Sequence, residues 1–469
     1  MPGKKAIEKE IEALGTSHPL KLLLRYAWPA LIAMSLNALY AVVDRAFIGH
    51  GCGVDAIAGI TMVFPVILVL NALGVFVGAG HGAVLSIKLG LDDREACEKL
   101  LGELIAFKLL LFAIISPLIY FNIDTVLGWC GANNVSPEAF AAAKEYLQLV
   151  IFSHLFSHLA YGLSAMQRAE GAATKSMFCI ATGCVVNLIL DPIFIFGLNL
   201  GVAGAAWATN IAMLCSCIVA FSYYLRGKTV VKLVFSRIGF YRELALKSCA
   251  IGTAPFLQHI MGALVAVSMQ LSFTYWITDK AESTGQMASL GVYTATLLLV
   301  IMPIMGAQQG LQPIIGYNWG ARNFRRVKQA LYWGWTITTL LTVIAWIIQV
   351  VPPFPRLIAK CFISSDSPSL IDLAAHDLAL SNCMIWCISI NIVATTYFQS
   401  IGKPKTAIFL SFFRQGLCMI PCIWLMPYLM TRKVFAIWLA VPISDVLCNI
   451  VTIAPIFFQL RFLTRVRSR

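Results

Sequence analysis

Residues 187–209 read Asn187-Leu-Ile-Leu-Asp191-Pro-Ile-Phe-Ile-Phe-Gly-Leu-Asn-Leu-Gly201-Val-Ala-Gly-Ala-Ala-Trp-Ala-Thr209. Two apolar runs, at about 173–198 and 202–225, meet within this stretch, separated by only a few residues. Each is long enough to cross a bilayer, which takes roughly 20 apolar residues. Yet Asn187, Asp191 and Thr209 lie inside them. The first two are spaced i, i+4, which places them on one face of a helix. Two adjacent spans carrying buried polar groups set the reading for the rest of the chain.

The same texture extends in both directions. The chain has 469 residues, 59% hydrophobic and 12% charged, with a mean hydropathy of +0.80. A soluble domain carries about 25% charged residues, so this density cannot cover a water-exposed surface. The numbers also exclude a disordered chain, a fibrous repeat and a small disulfide module. The formal charge of +13 does not point to nucleic acid, because the basic residues are scattered among short loops rather than gathered on one face. The 14 cysteines lie mostly in apolar runs without metal-site spacing, which suits helix packing. The first 19 residues carry Lys4, Lys5, Glu8, Lys9, Glu10 and Glu12, unlike a cleavable signal peptide, so the first span is expected to remain in the mature protein.

Spans are expected at about 22–48, 57–87, 99–122, 140–168, 173–198 and 202–225, and then at 246–277, 287–316, 328–350, 374–400, 404–429 and 434–460. The expected fold class is an all-α integral membrane protein with twelve transmembrane helices in two six-helix lobes. The N-terminal lobe would be 1–225, a polar cytoplasmic linker 226–245, and the C-terminal lobe 246–469. Lys and Arg number 26 in the tails and even-numbered loops against five in the odd-numbered ones. That bias places both termini in the cytoplasm.

The halves echo each other. Gly78-Ala79-x-x-Gly82 recurs as Gly306-Ala307-x-x-Gly310, Gly171 with Thr174 as Gly402 with Thr406, and Lys21 with Pro29 as Lys247 with Pro255. The offsets are 228, 231 and 226 residues. Six plus six spans of equal orientation make a parallel pseudo-two-fold repeat about the membrane normal, with a cavity between the halves for a solute.

Charges inside spans are costly, about 2.5–3.5 kcal/mol each on insertion scales, and so become functional candidates. Asn37, Tyr40 and Asp44 form a polar stripe on span 1. At 1.5 Å per residue, Asp44 lies about 28 Å above Arg25 and Asp191 about 24 Å above Lys175. Thr209 lies about 12 Å below the outer end of span 6, so the three can meet. One reading has Asp44 paired with Arg45 and Asp191 capping a helix broken by Pro192. The other is a shared cation site. Two desolvated carboxyls suit a proton, and the Asp, Asn, Thr and Tyr oxygens equally suit sodium. His154 and His158 at i, i+4 could ligate a metal, but no third ligand accompanies them and packing is favoured. Arg414 and Asp445 are expected to form a buried structural pair. Gln308, Gln309 and Gln312 either line the cavity or bridge helices. There is no G-x-S-x-G and no phosphate-cradling P-loop, so neither an enzyme nor ATP coupling is expected.

Arg168-Ala-Glu-Gly171, the 187–209 stretch, Tyr40-x-x-x-Asp44, Gln312-Pro-Ile-Ile-Gly-Tyr-Asn318 and Phe413-Arg-Gln-Gly416 with Ile420-Pro421 together resemble the multidrug and toxin extrusion (MATE) family, in its bacterial branch. The resemblance implies a two-lobed antiporter, without an organic cofactor, that expels organic and often cationic compounds against protons or sodium. It also implies a monomer in the bacterial inner membrane and a role in antibiotic resistance. The family's cation network falls on Tyr40, Asp44, Asn187, Asp191 and Thr209, with any sodium held at Asp44 and Asp191. Some relatives also use carboxylates on spans 7 and 10. Here span 7 offers Gln258 and His259 as cavity residues and no acid before Asp279, while span 10 has only Asp372 and Asp377 near its outer start. The alternative within the same superfold is a lipid-linked sugar flippase.

Overall fold

A computed structural model of the chain describes residues 14–52, 54–130, 137–227, 229–278, 280–362 and 368–465. Eleven helices among the described residues are long and apolar enough to span a membrane, and one bent pair makes a twelfth span. The described residues contain no strand.

The first half opens with α1 (Pro19–Cys52), α2 (Val54–Gly90) and α3 (Arg94–Phe121), followed by the short α4 (Ile123–Trp129). The fourth span was expected to be one run over 140–168. Instead α5 (Pro137–Val150) and α6 (Ser153–Ala169) meet at 50°. No proline or glycine marks this bend. The Ser153 hydroxyl donates to the Val150 carbonyl at 2.6 Å, occupying an acceptor that a straight helix would use itself. Next come α7 (Ala173–Pro192) and α8 (Gly201–Leu225). Pro192 does not break α7, because the chain continues as a wide π turn over Ile193–Gly197. The reading of Asp191 as a cap on a broken helix therefore fails.

The second half holds α9 (Arg242–Trp276), α10 (Lys280–Gly320) and α11 (Phe324–Val350), then the short α12 (Phe354–Phe362). The tenth span is broken into α13 (Pro368–Ser381) and α14 (Ile388–Ser400). Trp346 Nε1 donates to the Cys383 carbonyl at 2.9 Å and Ser381 Oγ to the Asp377 carbonyl at 2.8 Å, so side chains satisfy acceptors at this break. Last are α15 (Pro404–Phe412), a π turn over Phe413–Met419, α16 (Ile420–Leu429) and α17 (Lys433–Arg465). The linker is shorter than the expected 226–245, since 242–245 already belong to α9.

Three carboxylates of the first half hold this linker. Arg237 Nη1 meets Glu98 Oε2 at 2.7 Å, the Tyr241 N–H donates to Glu103 Oε1 at 2.8 Å, and the Val231 N–H lies 3.5 Å from Glu170 Oε2. Glu170, in the turn between α6 and α7, is fully buried. Burial pushes its carboxyl up to about 8, against the opposing hydrogen bond from the Val231 N–H. A carboxyl raised in the folded state gives its full stabilisation below the unfolded pKa of about 4.3 and loses it as pH rises through 8. Glu170→Gln is thus expected to stabilise the protein relative to wild type at pH 9, by on the order of 2–4 kcal/mol, and to make no such difference near pH 4. Thermal midpoints across that range check this, and an equal offset at both ends would refute it.

The halves press together at the end of the bundle that carries the chain termini. A Cβ on Gly80 of α2 would sit 2.1 Å from the Ser248 carbonyl oxygen of α9, and one on Gly252 of α9 would sit 2.0 Å from that of Phe76. Backbone meets backbone, so no side chain can yield. Gly252→Ala should force these helices apart and lower stability by about 1–3 kcal/mol. Gly291→Ala, with nothing within 4 Å of its Cβ, should be neutral or gain up to about 1 kcal/mol in helix propensity. Thermal unfolding of the two variants compares them directly.

Candidate functional site

Beyond the closed end, the halves part around a cavity of about 580 Å³. Its wall follows α1 from Met34 to Ile48, about 21 Å along the helix. Asn37, Tyr40 and Asp44 face it from α1, Tyr146 from α5, Tyr161 from α6 and Thr209 from α8.

Behind this wall α7 supplies Asn187 and Asp191, both buried and outside the cavity lining. Asn187 Nδ2 donates to Asp191 Oδ1 at 3.2 Å and to Thr209 Oγ1 at 3.3 Å, tying the two spans together. Asp191 lies within hydrogen-bonding reach of Asp44. The Tyr40 phenol is set among Asp44, Asp191, Tyr146 and Tyr161. Tyr161 donates to Asn37 Oδ1 at 3.0 Å. The structure thus joins all five residues of the N-terminal cluster that the sequence singled out. It adds Tyr146 and Tyr161, which come from spans separate from Asp44 and Asp191 and which no spacing in the sequence links to them. Pairing of Asp44 with the Arg45 side chain falls outside the described residues, as does Asp279.

The second half contributes Gln258, His259, Gln308, Gln309 and Gln312 to the same cavity. Gln309 Nε2 approaches Met34 Sδ at 3.5 Å and Gln312 Nε2 donates to the Ala79 carbonyl at 3.2 Å, so these two reach across to the first half. Gln308 turns to the Ile392 carbonyl at 3.5 Å, and His259 Nδ1 lies 2.9 Å from the Pro255 carbonyl. Arg168, part of a quoted motif but assigned no role, lines the cavity with its guanidinium held by the hydroxyls of Ser164 and Ser176.

Other candidates lie elsewhere. Asp377 is buried and accepts from Ser289 Oγ at 2.8 Å, away from the cavity lining. Arg414 Nε lies 3.4 Å from Asp445 Oδ1, also off the cavity, with Arg414 in the π turn before α16. His154 and His158 line the cavity, and the described residues hold no group of three or more metal-ligating side chains.

The MatE family model matches residues 29–193 and 259–425, one stretch on each side of the linker and together most of the chain. The chain belongs to the MatE family. As a MatE protein it is a multi-pass membrane transporter that moves small molecules, and not an enzyme. It is 24% identical over 410 residues to the multidrug export protein MepA of Staphylococcus saprophyticus, covering 87% of this chain and 88% of that protein. It is 25% identical over 411 residues to MepA of Staphylococcus aureus strain NCTC 8325, covering 87% of each. Among solved structures, the outward-facing conformation of a multidrug resistance MATE family transporter of the MOP superfamily matches this MatE protein with a TM-score of 0.88 at 22% identity, covering 97% of this chain and 99% of that one. A MOP superfamily transporter from Pyrococcus furiosus, described as having a binding pocket of reversed polarity, matches with a TM-score of 0.86 at 21% identity, covering 96% and 98%.

Proposed function

We propose that this MatE protein exports organic, chiefly cationic, compounds across a bacterial plasma membrane by antiport against protons or sodium. The observation that carries the reading is the Asp44–Asp191 cluster in the wall of a cavity between two halves. A carboxylate at the cavity face attracts an organic cation, and the same carboxylate binds a proton or sodium ion. Competition for that charge lets an inward ion gradient drive the solute outward, because ion and solute then favour different states. The Asn187 Oδ1 atom, buried without a hydrogen-bond partner among the described residues, offers a further oxygen to a hard cation. The family match does not favour the lipid-linked sugar flippase.

In this reading residues 1–225 and 246–469 act as two lobes that rock about the membrane midplane, in a protein that works as a monomer. The Lys/Arg bias places the termini in the cytoplasm. The closed end, where Gly80 and Gly252 meet the opposite backbone, is then the cytoplasmic one and the cavity opens outward. Proteoliposomes loaded with ethidium test the proposal under a proton gradient and a sodium gradient in turn. Export under one gradient and not in its absence supports antiport. Equal flux with no gradient would reject coupling.

A further inference from the structure

A second polar group lies at and behind the cavity wall, away from the carboxylates. Lys108 of α3 is fully buried, and its ammonium donates to the Gly74 carbonyl of α2. One turn away on α2, the Leu70 carbonyl lies 3.0 Å from His158 Nε2. The His158 ring fits because residue 74 is glycine: a Cβ there would lie 2.9 Å from ring atom Cδ2. Gly162 likewise makes room for Lys108, whose Cε would sit 3.2 Å from a Cβ at 162. His154 stacks edge-on to His158 at 5.6 Å between centroids. His154 is only 6% exposed, and its Nδ1 has no hydrogen-bond partner among the described residues. Gly74, His154 and His158 all line the cavity.

The surroundings leave this group without a counter-ion. His154 and His158 of α6 adjoin this group, while His81 of α2 pairs with Glu103 of α3 itself. Glu103 is turned away, 3.5 Å from His81 Nε2 and accepting the Tyr241 N–H of the linker at 2.8 Å. Among the described residues no carboxylate lies within ion-pair distance of Lys108. The charged groups that line the cavity are Arg168, held by serines, and Asp44 in its own cluster, and Lys108 lies behind the lining residues Gly74 and His158. The charge of a buried lysine is costly without a counter-ion, so its proton can leave, and an imidazole nitrogen without a partner can accept one.

We propose that His158 and His154 in the cavity wall, with Lys108 buried behind them, form a second proton-binding site, separate from the Asp44–Asp191 cluster, whose positive charge opposes a bound organic cation. Its part in coupling rests on the antiport reading; the proton site itself does not. Proton uptake by the purified protein in nanodiscs, followed with an indicator dye between about pH 5.5 and 8.5, is compared for wild type and Lys108→Met. Loss of about one titrating proton per chain is expected, and His158→Gln serves in its place if Lys108→Met does not fold. Superimposable titrations would overturn the proposal and leave Lys108 a packing donor only. Equilibrium binding of ethidium supplies the second arm. Lys108→Arg, charged at every pH, should weaken binding about fivefold or more at the alkaline end, whereas Lys108→Met should not, and equal affinities at that pH would count against the proposal. Both arms run without an ion gradient, so a failure of gradient-driven export would reject the antiport reading and leave this site to be judged separately.

Discussion

Asp44→Asn is expected to lower gradient-driven ethidium export by about 100-fold, the upper part of the range that a coupling free energy of 1–3 kcal/mol provides. Asparagine keeps the shape of the side chain and its ability to accept hydrogen bonds, but it cannot bind and release a proton or bring a full negative charge to a cation. The site is already polar, with Asn187 bridging Asp191 and Thr209 and with the Tyr40 phenol close by, so the neutral residue finds partners and the protein should fold. Asp191→Asn should lose nearly as much, because Asp191 lies beside Asp44 and the proposed site draws on both carboxyls. Tyr40→Phe and Thr209→Ala remove single hydroxyls and should cost roughly three- to tenfold, in line with about 1 kcal/mol for a hydrogen bond. Asp377 and Asp445 supply the controls. Each is buried, but Asp377 is held by Ser289 and Asp445 by Arg414, and neither lines the cavity. Export in vesicles with matched protein levels decides the matter. A larger loss in Asp377→Asn than in Asp44→Asn would place the coupling site elsewhere.

Tying the closed end of the bundle should abolish transport altogether. Ser86 of α2 and Gly316 of α10 face each other there, with a Cβ on Gly316 only 2.8 Å from that of Ser86. A disulfide needs about 3.5–4.5 Å between Cβ atoms, so a shift of about 1 Å lets Ser86→Cys and Gly316→Cys join in a background without the native cysteines. If the halves must separate at this end to admit solute, the oxidised protein should export at the level of empty vesicles and recover on reduction. The carboxylate cluster lies far along α1 from the bond, so sodium or proton binding should survive oxidation. Unchanged export by the fully cross-linked protein would exclude opening at this end.

The spans themselves were readable because a bilayer imposes one demand at every position: backbone groups must be satisfied within the helix and side chains must tolerate lipid. That demand acts locally, so apolar run length and Lys/Arg bias carry it, and the helices fall close to the expected ranges. The exceptions arise where tertiary contacts replace the local pattern. At Ile151–Phe152 the helix bends on a serine hydroxyl, and between α13 and α14 a tryptophan from α11 takes up a carbonyl. Pro192 looked like a stop, yet the chain continues through a wider turn.

The candidate site divides along the same line. Asn37, Tyr40 and Asp44, like Asn187 and Asp191, were legible because helical spacing puts them on common faces and because charge inside an apolar run stands out. Tyr146, Tyr161 and the role of Lys108 were not, since a phenol or an amine acquires its meaning only from the groups set opposite it by other helices. The sequence by itself determined that this chain crosses a membrane many times and carries carboxylates it cannot leave in lipid. Only the tertiary structure decided which of them meet, that Asp377 and Asp445 are held away from the cavity, and at which end the halves close. Close approach of backbones at Gly80 and Gly252 and hydrogen bonds between distant helices are properties of pairs, and no single stretch of sequence contains both partners.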